Sequence, residues 1–148
     1  MTASSRGWHK ARVSSGGIHH VFITIKDLQR SRPFYAQLMP RLGYPGTWDF
    51  GGDGLSLGFL GAGGSFWIKQ GDPRFAGDTF CKDRVGLCEI AFRAESREQV
   101  DALARDVPAM GGTILDPPRE YPEYVPGYYA VFFADPDGIK LELVYLPG

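Results

Sequence analysis

The sequence predicts an α+β domain made of two tandem βαβββ units, and three observations carry that prediction. The chain has 148 residues with 43% hydrophobic content, enough for one core and too much for a disordered segment. Apolar residues first alternate with a period of two and then recur at helical spacing. That succession occurs twice, at a nearly constant offset along the chain.

The first cycle opens with a strand over residues 18–25. Successive strand side chains point to opposite faces, so His20, Phe22 and Thr24 share one face. Val21, Ile23 and Ile25 take the other, where a helix can cover them. Asp27 is placed to cap a helix carrying Leu28, Tyr35, Leu38, Met39 and Leu42, and Gly43 ends it. Pro33 and Pro40 make this helix imperfect and allow its start to slip to Ser31. Candidate strands follow near 48–50, 55–60 and 65–69. The 46–64 stretch holds eight glycines but no GK[ST] and no following helix, so it reads as turns and bulges rather than a phosphate loop.

The second cycle opens at 89–94, with Ile90, Phe92 and Ala94 toward a helix and Glu89, Ala91 and Arg93 opposite. Ser96 and Gln99 fit a capping box. Val100, Leu103, Ala104 and Val107 form the apolar stripe, and Gly111-Gly112 ends the helix. Strands follow near 113–115, 128–134 and 139–145, the last two joined by the turn Asp135-Pro136-Asp137-Gly138. Between the first two of these strands, four prolines from Pro117 to Pro126 enclose Tyr121 and Tyr124. That stiff aromatic segment suits a cup wall, a dimer contact or a surface crossover equally. Equivalent landmarks keep register: His20 to Glu89 is 89 − 20 = 69, Asp27 to Ser96 is 96 − 27 = 69, and Gly43 to Gly111 is 111 − 43 = 68.

Composition narrows the function classes. Net charge is −1, from 16 basic and 17 acidic residues well mixed, which leaves no electrostatic case for nucleic acid or an anionic membrane. No apolar run is long enough to span a bilayer. Residues 1–16 read as a flexible polar N-terminal arm without the apolar segment of a secretion signal. Cys81 and Cys88 form no CxxC pair, so a cytoplasmic protein is expected. No GxSxG motif is present, and neither cysteine has a histidine nearby in sequence.

The segments HHVFITIKDLQRSRPFYAQLMPRLGY and YYAVFFADPDGIKLELVY resemble the vicinal oxygen chelate superfamily. That group includes glyoxalase I, bleomycin-resistance proteins, fosfomycin-resistance enzymes and extradiol dioxygenases. The resemblance covers residues 17–146, within a single domain over 17–148 made of units 17–70 and 85–146. It implies that the two units pair into a curved mixed sheet forming an open cup, that a divalent metal sits there on the first and last strands, and that homodimers are common. Carried over by position, it places metal ligands at His20, Glu89 and Glu142. The remaining ligand position falls near Trp67, which cannot bind metal.

Parity supports the grouping independently. His20 and Glu89 open equivalent strands, and Glu142 alternates away from Leu141, Leu143 and Tyr145. One imidazole and two carboxylates suit Zn, Ni, Mn or Mg, and differ from the two-His, one-carboxylate set of an Fe(II) oxygenase. The alternative for Glu89 and Glu142 is ion pairing with Arg93 or Lys140. His19, on the opposite face, reads as structural unless the register slips. Arg93, Trp67 and Tyr129 are candidate substrate contacts.

The leading expectation is a glyoxalase-type, metal-dependent lyase or isomerase. It would act on a small substrate with adjacent oxygens through an enediolate, with Glu89 and Glu142 as catalytic carboxylates. The alternative is a metal-free small-molecule binding or sequestration protein of the bleomycin-resistance type. An extradiol dioxygenase fits less well.

Overall fold

The computed structural model describes residues 15–50, 52 and 54–148; most of the arm assigned to residues 1–16 lies outside them. Unit one contains β1 (His20–Ile25), α1 (Leu28–Arg41), β2 (Gly46–Trp48), β3 (Ser56–Gly61) and β4 (Gly64–Gln70). A linker with one 3-10 turn (Pro73–Phe75) leads to unit two. That unit contains β5 (Ile90–Arg93), α2 (Arg97–Met110), β6 (Thr113–Glu120), β7 (Tyr129–Ala134) and β8 (Lys140–Tyr145). Sheet A has the order β1-β4-β3-β2 and sheet B the order β5-β8-β7-β6. In each, the first strand runs parallel to the last and the other pairs are antiparallel. The predicted duplication is therefore present at the level of topology.

Local chemistry explains the boundaries. Asp27 Oδ1 accepts the N–H groups of Gln29 at 3.0 Å and Arg30 at 3.3 Å, so α1 begins at its cap and does not slip to Ser31. Ser96 Oγ accepts from Gln99 N–H at 3.1 Å, while Gln99 Oε1 reaches back to Glu95 N–H at 2.7 Å. Gly111, with φ +97°, supplies the left-handed residue that ends α2. Asp135 Oδ1 closes the β7–β8 turn by accepting from the N–H groups of Asp137 and Ile139, at 2.9 and 2.8 Å.

Two strands differ from the reading of the sequence. β2 lies at Gly46–Trp48 rather than 48–50. β6 runs on to Glu120 through Pro117 and Pro118, which open the segment that the sequence suits equally to a cup wall, a dimer contact or a surface crossover. β6 is the edge of sheet B, where a missing N–H breaks no ladder, and its register shifts twice across this stretch.

The two units share one core. α1 buries Phe34, Tyr35, Leu38 and Met39, which is more than one face of a helix. Tyr35 explains why. Its ring stacks on Phe66 of sheet A at 5.7 Å, while its hydroxyl donates to Asp135 Oδ2 at the end of β7 in sheet B, at 2.7 Å. Phe34 fills the space over Gly112, where a Cβ would fall 2.7 Å from its ring. Phe66 also meets Phe92 of β5 at 5.8 Å. The helix-covered faces of both sheets thus close on a single hydrophobic cluster, with α1 between them. Their other faces look away from each other. No helix among the described residues is long and apolar enough to cross a membrane.

Tyr35→Phe should test this junction. Asp135 is buried, and burial is the chief reason its carboxyl is held above its ordinary value. Removing its tyrosine donor should cost about 1–3 kcal/mol and lower the melting temperature by several degrees. An unchanged urea midpoint would show that the bond contributes nothing.

Candidate functional site

The open face of sheet A is aromatic. His20 and Phe22 point outward from β1, in the parity read from the sequence, and Phe22 stacks on Trp67 at 5.7 Å. Trp48 and Phe50 add rings at 6.4 and 6.1 Å from Trp67. Gly58 makes room for this wall: a Cβ there would lie 2.6 Å from the indole. Trp67 Nε1 donates to Ser65 Oγ at 2.8 Å, which fixes the ring plane. His19, His20, Phe22, Phe50, Ser65 and Trp67 line a cavity of about 240 Å³. His19 therefore accompanies His20 rather than opposing it. It precedes β1, free of the strand's alternation, and its Nδ1 lies 3.0 Å from His20 Nδ1.

The open face of sheet B is charged and polar. Glu89, immediately before β5, forms an ion pair with Lys140 at 2.9 Å. Glu142, only 2% exposed, accepts a hydrogen bond from the Tyr128 hydroxyl. Burial raises the Glu142 carboxyl above its ordinary value, and the neighbouring Glu89 raises it further, against the lowering effects of Tyr128 and Lys140. Burial and the bond to Glu142 hold the Tyr128 phenol well above its ordinary value. Burial would depress the Lys140 ammonium, but Glu89 outweighs it and the group stays protonated. Tyr121 and Phe132 pack beside Tyr128, and Tyr124 stacks on Tyr121 at 5.4 Å, so the proline-rich segment walls this face.

Strand register makes the two faces counterparts. Phe22 pairs with Trp67 and Ala91 with Glu142, and 91 − 22 = 69, so Trp67 occupies the position that Glu142 holds in unit two. Glu89 and Glu142 come together in one chain, whereas His20 stands on sheet A with the shared core between. Among the described residues no group of three or more His, Cys, Asp or Glu is close enough to hold a metal. Arg93 points outward from β5 without a carboxylate partner among the described residues; Lys140 takes Glu89 instead.

Tyr129 is not on this face. It lies on the core side of β7, where its hydroxyl donates to Asp101 Oδ1 at 2.6 Å and its ring carries the Arg97 guanidinium at 4.9 Å. The tyrosine facing Glu142 is Tyr128. Alternation back from Phe132 through Ala130 would have indicated it; the doubled Tyr128-Tyr129 obscured the choice.

A family model described as Glyoxalase/Bleomycin resistance protein/Dioxygenase superfamily matches residues 17–143. The chain belongs to that superfamily. It is 35% identical to the uncharacterized protein YqjT of Bacillus subtilis (strain 168) over 129 residues, 86% of this chain and 97% of that one. A crystal structure from Bacillus halodurans superimposes with a TM-score of 0.74 at 32% identity, covering 89% of this chain and 97% of that one. A glyoxalase/bleomycin resistance protein from Albidiferax ferrireducens T118 gives a TM-score of 0.72 at 26% identity, covering 87% and 98%.

The raised carboxyl of Glu142 has a stability signature. The folded chain holds that proton more tightly than the unfolded one, so stability is lost as pH rises from the ordinary carboxylate range through the raised value. Glu142→Gln removes the ionisation while keeping an oxygen that can accept from Tyr128. In chelator, the variant should match wild type at acid pH and exceed it at neutral pH in urea unfolding. A variant less stable at neutral pH would show instead that Lys140 and Tyr128 fully support the carboxylate.

Proposed function

We propose that the protein is a divalent-metal-dependent lyase or isomerase of the glyoxalase type, with its cup assembled from two copies of the chain. The observation that carries this reading is the division of the donor set. Glu89 and Glu142 stand side by side on sheet B, while His20, the duplicate of Glu89, stands on the outward face of sheet A. In a symmetric dimer, sheet A of one copy can face sheet B of the other, and the arrangement is satisfied twice. The donors fit a hard divalent ion such as Zn, Ni, Mn or Mg: one imidazole, two carboxylates, and a buried Glu142 whose negative charge its surroundings penalise.

Such an ion would supply Lewis-acid stabilisation of charge on adjacent oxygens of a small substrate. The chain's own groups define the rest. Glu89, partly exposed and held by one ion pair, is the carboxylate free to accept a substrate proton. Tyr128 fixes the orientation of Glu142. Phe22 and Trp67 offer a flat apolar wall that excludes water, and Arg93 is available for an anionic group. This donor set lacks the second histidine of an Fe(II) dioxygenase.

A second reading, a metal-free binding protein, is favoured by Trp67 in place of a ligand and by Lys140 already neutralising Glu89. In it Lys140 is the cation and the aromatic wall supplies the contact area.

Titration of divalent metals followed by mixing of variants separates the readings. Wild type should bind metal, and His20→Ala and Glu142→Gln should each lose it. Equal mixing with subunit exchange should restore about one quarter of the wild-type sites, because half the dimers are mixed and each holds one intact site. Unchanged metal affinity in His20→Ala would remove His20 from the site. Failure of the mixed dimers to recover would show that the site is not shared. A wild type that takes no metal would favour the binding reading, in which Trp67→Ala becomes the damaging change.

A further inference from the structure

A large cavity among the described residues is on neither open face. It holds about 550 Å³ at the junction of the two units, between the end of β1, the linker after β4 and the β7–β8 turn. That volume lies within the range of small-molecule sites, and unit junctions are where such sites concentrate. Its floor is apolar: Ile25 and Ile139 are buried in the shared core, and Phe80 packs against the same cluster. At its mouth Phe75 is 58% exposed, a large ring with no burial in the chain to account for it.

The polar lining has one sign in excess, with four aspartates against Lys26. Three of the four are committed elsewhere. Asp27 caps α1. Asp72 is held by Arg74, with contacts at 2.9 to 3.2 Å. Asp137 binds Arg30 and the Lys26 N–H. Asp78 alone takes no side-chain partner among the described residues, and it lies between Phe75 and Phe80 in sequence on the cavity wall. A carboxylate that shares a cavity lining with two aromatic rings and an apolar floor suits an organic cation with a hydrophobic body. The Arg74 guanidinium rests 5.5 Å from the Phe75 ring, so this ring already takes part in one cation–π contact.

We propose that this junction cavity is a binding site for an amphiphilic amine, with Asp78 pairing the ammonium and Phe75, Phe80, Ile25 and Ile139 enclosing the apolar part. It stands apart from the cup and does not depend on a metal there.

Three probes of one shape test it: 4-phenylbutylamine, 4-phenylbutanol and 4-phenylbutyrate, titrated calorimetrically into the whole protein. The amine should bind, the alcohol should bind roughly fivefold more weakly for want of the charged hydrogen bond, and the acid more weakly still. Asp78→Asn should bring the amine down to the level of the alcohol. Ala76→Trp, at an exposed position on the cavity lining, should block all three. Trp67→Ala on sheet A should leave amine affinity unchanged, which keeps this site distinct from the cup. No measurable amine binding, equal affinity for the three probes, amine affinity that survives Asp78→Asn, or loss confined to Trp67→Ala would each overturn the assignment.

Discussion

Everything in this chain depends on burying α1 on two sides at once. An ordinary amphipathic helix hides one stripe and shows the rest to water. α1 carries Tyr35 toward Phe66 in sheet A and toward Asp135 in sheet B, and places Phe34 over Gly112 between α2 and β6. Neither unit offers that helix a complete environment alone. A βαβββ unit of roughly 50 residues would also bury too small a share of its surface to be more than marginally stable. The two units therefore fold as halves of one core, and the duplicated topology is a single cooperative structure.

This sandwich fixes the direction of both open faces. With the helices between the sheets, the outward side of sheet A carries rings and the outward side of sheet B carries carboxylates, Lys140 and tyrosines. Each face exposes groups that favour company. Trp48 is 57% exposed on the first, and on the second the buried Glu142 lies beside Glu89 and accepts a hydrogen bond from the Tyr128 hydroxyl. The same packing that stabilises the monomer thus sends complementary chemistry to opposite sides of it.

Much of this was legible in the sequence, because much of it is local. Alternation places His20 outward and Ile23 inward, Asp27 and Ser96 mark both helix starts, and the offset of 69 exposes the duplication without any knowledge of contacts. What was not legible is long-range. Phe34 looks like an ordinary helix residue until sheet B is set against it. Pro117 and Pro118 leave the role of their segment open because nothing local says that β6 is an edge. Glu89 could be matched to His20 by counting, but that a whole core separates them depends on how the units pack, and period and spacing carry no such information. Tyr128, by contrast, is legible by alternation back from Phe132 through Ala130, and only the doubled tyrosine obscures it.

Trp67 has a further meaning when set beside its duplicate. A gene duplication begins with two identical faces, and a pocket built from identical halves treats both ends of a guest alike. Here one half has an indole where the other has a carboxylate, with Gly58 cleared to receive the ring. The equivalence of the halves is broken where Trp67 and Glu142 face outward at the same height on the last strands, as it is at His20 and Glu89. Chemical polarity has been written onto a symmetric scaffold by exchanges of residue type at matched positions, and a molecule lying against both surfaces would have a preferred direction in which to lie.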